Sequence, residues 1–125
     1  MTMLGHLSFG VSDLARSAEF YERILAPLGY VRVWSNRRGV GFGEEDGGDK
    51  LALFAQAGPT RAPGPGFHLA FTAPSREAVR AFHAEALRAG GRDCGAPGPR
   101  PHYGATYYAA FVLDYDGYKL EAVHK

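Results

Sequence analysis

The sequence predicts an α+β fold made of two βαβββ halves. Two observations carry that prediction. An offset of 62 positions sets His6 on His68, Leu7 on Leu69, Phe9 on Phe71, Phe20 on Phe82, Leu25 on Leu87 and Gly29 on Gly91, so the chain repeats itself. Within each half, apolar residues first recur at helical spacing and then fall into short extended runs divided by turn residues.

Each half opens on a strand, "GHLSF" from residue 5 and "GFHLAF" from residue 66. A helix follows. In the first half Ser12 or Asp13 caps a segment whose Leu14, Ala18, Tyr21, Leu25 and Leu28 share one face. In the second half Ser75 is the cap and Val79, Phe82, Ala86 and Leu87 form the buried stripe. Gly90 and Gly91 end that helix, because glycine adopts a left-handed C-terminal conformation without a Cβ penalty. Three extended runs then complete the first half: "YVRVW", "GVGFG" and "KLALFAQ", separated by "SNRRG" and "EEDGGD". The second half has a weaker run near "RDCGA", a Pro-rich connection "PGPRPHYG", and two stronger runs, "TYYAAFVLD" and "YKLEAVH", around the turn "DYDG". The expected organisation is one domain over 1–125, with module one at about 1–57, a linker at about 58–65 and module two at about 66–125. A half of about 60 residues has a marginal core alone, so the halves are expected to pack as one unit, or one half with its counterpart in another chain.

Composition narrows the function. The chain has 125 residues, 46% apolar and 22% charged, which is ordinary for a globular domain. Fourteen basic and thirteen acidic residues leave a formal charge of +1 with no basic run, which argues against nucleic acid as a partner. Cys94 is the single cysteine, so neither a disulfide framework nor a thiolate zinc cluster can form within one chain. Together with the lack of a leader-like N-terminus or of an apolar stretch near the roughly 20 residues that span a bilayer, this points to the cytoplasm and to no membrane partner.

Alternation along the strands then decides where the polar groups point. Leu7, Phe9 and Val11 belong under the first helix, leaving His6, Ser8 and Gly10 on the other face. Phe67, Leu69 and Phe71 belong under the second, leaving His68, Ala70 and Thr72. The small residues beside each histidine, Ser8 and Ala70 among them, leave room for a ligand. The last strands of the halves also align, "DKLALF" with "YKLEAV", which places Glu121 where the first half has Ala52. A carboxylate flanked by Leu120 and Ala122 in a buried run needs a partner. Two imidazoles and a metal ion would supply one, so His6, His68 and Glu121 are the expected metal ligands, a two-histidine, one-carboxylate set with positions left open. His83 and His124 read as exposed or packing groups.

Three stretches, "HLSFGVSDLARSAEFYERILAPLGY", "FHLAFTAPSREAVRAFHAEALRAGG" and "AAFVLDYDGYKLEAV", carry a resemblance that covers essentially the whole chain. The sequence resembles the vicinal oxygen chelate superfamily, which includes glyoxalase I, extradiol dioxygenases, methylmalonyl-CoA epimerase and the bleomycin and fosfomycin resistance proteins. The resemblance implies paired modules whose mixed sheets curl into open half-barrels with helices on the outer face. It implies one divalent ion, zinc, nickel, iron or manganese, on His6, His68 and Glu121, and a homodimer acting on a small molecule with adjacent oxygens. Glyoxalase-type members carry a fourth ligand where this chain has Ala52. The reaction stays open between isomerisation, lyase chemistry and ring-cleaving dioxygenation, and the alternative is a non-catalytic ligand-binding protein of the bleomycin-resistance type. "PRPHYGATYY" offers His102 as a proton carrier and Tyr103 and Tyr108 as donors, so these three are the candidate catalytic residues. Trp34, Phe42 and Phe54, with Ser8, Ala52 and Ala70, are the candidate substrate-binding residues. Cys94 has no companion base in the sequence.

Overall fold

A computed structural model describes residues 3–125. Module one runs β1 (Leu7–Val11), α1 (Leu14–Leu25), a 3-10 turn (Ala26–Leu28), β2 (Val31–Ser35), β3 (Gly39–Gly43) and β4 (Leu51–Ala55). Module two runs β5 (Leu69–Thr72), α2 (Arg76–Arg88), β6 (Arg92–Pro99), β7 (Tyr108–Leu113) and β8 (Lys119–His124). Each module forms its own mixed four-stranded sheet, ordered β1-β4-β3-β2 and β5-β8-β7-β6, and neither closes into a barrel. The first strand of each module pairs in parallel with its last, and the remaining pairs are antiparallel.

Local chemistry fixes the helices. The Asp13 side chain accepts from the Arg16 amide at 3.2 Å and Ser75 Oγ accepts from the Ala78 amide at 3.0 Å, so each helix starts on a capped donor. Of the stripe predicted for α1, Ala18, Tyr21 and Leu25 are buried with Phe20 and Ile24, Leu14 is half-buried against the core, and Leu28 is buried in the 3-10 turn that follows. In α2 the stripe holds for Val79, Phe82 and Ala86, whereas Leu87 is 41% exposed. Residue 83, four before 87, is buried in its place because the face turned to the sheet runs through 79, 82, 83 and 86. The Pro-rich segment also differs from expectation: β6 reaches Pro99, with register irregularities that absorb its prolines and glycines at the sheet edge.

One apolar core collects the helix-covered faces of both sheets, including Val11, Val40, Phe42 and Leu53 from module one and Val79, Phe82, Val112 and Leu120 from module two. The two helices pack on each other. Their partner faces therefore turn inward, and the uncovered faces of the sheets turn outward.

The turn "DYDG" ties the modules together. Tyr21 on α1 donates to Asp114 Oδ2 at 2.5 Å with both side chains buried. Asp116 accepts from the Ser12 amide at 3.2 Å and from Thr60 Oγ1 in the linker at 2.5 Å. Tyr118 donates to the Gly10 carbonyl at 2.8 Å and its ring lies 4.1 Å from that of Phe9. Gly117 adopts φ +89°, which closes the turn between Asp114 and Tyr118.

Candidate functional site

The uncovered face of module two carries a buried acid. On β8, side chains of Leu120 and Ala122 enter the core, which leaves Lys119, Glu121 and Val123 on the other face. Ala70 on β5 and Phe111 on β7 are the register partners of Glu121. Glu121 is only 1% exposed, so its carboxylate needs compensation. Both oxygens receive it. His68 Nε2 stands 2.8 Å from Oε1, and the Tyr107 phenol donates to Oε2 at 2.5 Å. Burial, reinforced by the bond to Glu121, pushes the Tyr107 hydroxyl up to about 12, so it keeps its proton at neutral pH and acts as a donor.

Around this triad lie an apolar patch and an aromatic ladder. Ala109, Phe111 and Val123 form a second, smaller cluster against which Tyr107 packs. The His68 ring meets Phe111 edge-on at 5.8 Å. The Tyr103 ring lies 5.2 Å from that of Tyr107, and the His102 ring 4.2 Å from that of Tyr103, both pairs tilted, which carries the ladder outward along the loop before β7.

The uncovered face of module one has space in place of charge. Gly39, Gly41 and Gly43 of β3 lie on it, since Val40 and Phe42 point into the core. A Cβ on Gly41 would sit 2.1 Å from Trp34 Nε1, so the indole lies directly on the glycine backbone. Trp34 and Phe54 meet at 5.9 Å on this face. Ala52 is buried beside them, opposite Ser8 in the ladder.

The family model described as the Glyoxalase/Bleomycin resistance protein/Dioxygenase superfamily matches residues 3–122. The chain belongs to that superfamily. A crystal structure of a glyoxalase/bleomycin resistance protein from Albidiferax ferrireducens T118 is 32% identical, with a TM-score of 0.87 over 99% of this chain and 100% of that one. A glyoxalase-related enzyme from Fulvimarina pelagi shares the fold at 22% identity and a TM-score of 0.74, covering 100% of this chain and 89% of that one. The genomically encoded fosfomycin resistance protein FosX from Listeria monocytogenes shares it at 18% identity and a TM-score of 0.72, over 100% and 94% of the two chains. No functionally curated protein matches. No helix among the described residues is long and apolar enough to cross a membrane.

Within this superfamily fold, the residues singled out by sequence divide into two groups. His68 and Glu121 meet. His6 does not join them: it precedes β1 in module one, is exposed, and has no hydrogen-bond or ion-pair partner among the described residues. Among those residues no group of three or more His, Cys, Asp and Glu side chains could share a metal ion. A single chain thus brings one imidazole and one buried carboxylate together on one outward face and leaves His6 on the other module. Ser8 and Ala70 are exposed on the uncovered faces, and Phe54 is 41% exposed there. Phe42 instead packs in the core beneath α1, 6.4 Å from Tyr21.

Of the candidate catalytic residues, His102 and Tyr103 belong to the ladder. Tyr108 points to the helix side, where Arg80 donates to its hydroxyl at 3.1 Å and the Arg76 guanidinium lies 4.8 Å from its ring. Tyr107, one residue earlier, is the group that touches Glu121, and sequence reasoning passed it over. The signal was available: Tyr107 has the parity of Phe111, which pairs with Glu121.

His83 and Cys94 stand apart. His83 is buried on α2 and pairs with Asp93 on β6 at 2.9 Å, a bond that, with the Gly95 amide, holds the Asp93 carboxyl below the usual carboxylate range. Cys94 is exposed.

Proposed function

We propose that this chain is a metal-dependent enzyme of the glyoxalase and dioxygenase type, working as a homodimer on a small molecule with adjacent oxygens. Each cleft would take His68 and Glu121 from one chain and His6 from the other. The observation that carries this reading is the meeting of His68 and Glu121 on an outward, partly apolar face, while His6 waits unpartnered on the other outward face. A second copy laid across these faces covers both and supplies the missing donor. A divalent ion held by the three would act as a Lewis acid on substrate oxygens and stabilise negative charge as it forms.

The chain's own groups have separable tasks. Tyr107 holds Glu121 in place through Oε2 and, with its high pKa, donates without giving up its proton. His102, at the outer end of the ladder, is the group positioned to exchange a proton with solvent or substrate. Trp34 and Phe54 offer an apolar wall over the glycine floor of β3. That wall would select the size and shape of the small molecule held there.

One observation favours a second reading, a ligand-binding protein without chemistry: both Glu121 oxygens already have protein partners. The two readings separate on metal. His6→Ala and His68→Ala chains carrying different tags are co-expressed and the mixed dimer is purified through both. Neither variant alone should hold metal, whereas the mixed dimer should hold about half of the wild-type content, since one of its two clefts is intact. Absence of metal from the wild-type protein, with no thermal stabilisation by nickel, zinc, manganese or anaerobic ferrous iron, leaves the binding reading in its place.

A further inference from the structure

Beside His68 lies a pocket of about 290 Å³, lined by Gly64, Pro65 and Gly66 from the end of the linker and by Leu113 and Lys119. No acidic residue lines it. Phe111 gathers the surrounding cations onto one ring: Lys119 Nζ lies 5.1 Å from its centroid and the Arg100 guanidinium 5.6 Å, with His68 edge-on at 5.8 Å. Arg100 is committed to its own loop, since its guanidinium donates to the carbonyls of Gly98 and Ala96 at 2.8 and 2.9 Å. Glu121, beyond His68, has both oxygens engaged. Lys119 is half-buried, and its ammonium has no ion-pair or hydrogen-bond acceptor among the described residues. A cation held at the edge of a pocket over an aromatic face, with no counter-charge, is arranged to receive one.

We propose that this pocket is an oxyanion subsite, in which Lys119 takes the carboxylate or phosphoryl-type group of the substrate and so presents its neighbouring atoms to His68 and Glu121. The proposal rests on the reading of those two residues as the reactive centre, and it names the substrate class as a small organic anion.

The test uses full-length protein stripped of metal by chelation and then dialysed. Inorganic phosphate and acetate are titrated separately while the amides of Gly66 and Gly117 and the His68 ring are followed by NMR. Saturable shifts confined to the pocket are expected. Lys119→Met should weaken binding about tenfold or more, and Lys119→Arg, which keeps the charge, should stay within about threefold of wild type. Saturation by acetate identifies a carboxylate substrate, and saturation by phosphate alone a phosphoryl or phosphonyl one. Unchanged affinity in a folded Lys119→Met protein, or shifts by neither anion, overturns the proposal. Binding that persists in Glu121→Gln keeps it standing even if the metal reading fails, because the measurement involves no metal.

Discussion

The Tyr107 phenol stands 2.5 Å from Glu121 Oε2, on the opposite oxygen from His68. The acid is therefore clamped from two strands' worth of neighbours, and its orientation depends on the residue just before β7. Tyr107→Phe removes the donor and leaves one oxygen of a carboxylate that is 1% exposed without a partner. The expected cost is about 1–3 kcal/mol in urea unfolding. The same variant should loosen any metal or ligand held by Glu121, read by equilibrium dialysis.

Alkaline pH should find the module interface first. Burial, followed by the Asp114 charge, pushes the Tyr21 hydroxyl well above its ordinary value, and Tyr118 moves the same way for the same leading cause. A group with a raised folded pKa stabilises fully below its unfolded value, near 10, and loses that contribution as pH rises through the folded value. Stability from these tyrosines is thus flat through neutral pH and falls above about pH 10. Tyr21→Phe should flatten the alkaline fall and, because Asp114 loses its buried donor, cost about 1–3 kcal/mol at neutral pH. Denaturation midpoints measured from pH 7 to 11 check both.

Trp34 is the single tryptophan, which makes its contact with Gly41 readable by fluorescence. Gly41→Val drives a branched side chain into the indole and should displace it from the sheet. A red-shifted emission maximum is expected, with a stability loss of about 1–3 kcal/mol. An unshifted spectrum from a folded variant would show that the indole does not rest on that glycine.

Asp116 holds β1 and the linker at once through the Ser12 amide and Thr60 Oγ1. Asp116→Ala should free the linker before it unfolds the domain. Brief trypsin treatment is expected to cut after Arg61 about tenfold faster than in wild type, while the thermal midpoint falls by only a few degrees.

Much of this architecture was legible because each element has a local cause. Caps at Asp13 and Ser75, glycines after α2 and alternation in β1 and β5 all act over a few residues, and the structure follows them. Legibility failed where tertiary context decides. Leu87 fits the helical spacing, but the sheet lies on the side of His83, so the leucine is exposed. Tyr107 shares the parity of Phe111 and faces Glu121 while Tyr108 faces α2, but that parity becomes informative only through the pairing of Phe111 with Glu121. The proximity of His68 and Glu121 follows from parallel pairing of β5 with β8, whereas the repeat aligned only the last strands of the two halves with each other. The separation of His6 follows from how the two modules pack, and no spacing within the sequence encodes that.

Ala52 and Glu121 hold the same seat in the two modules, one opposite Ser8 and the other opposite Ala70. Module two thus carries an acid at the seat where module one has a methyl group. The acid-free face of module one, carpeted with glycine, can be reshaped to fit a different guest without disturbing the charge held on module two.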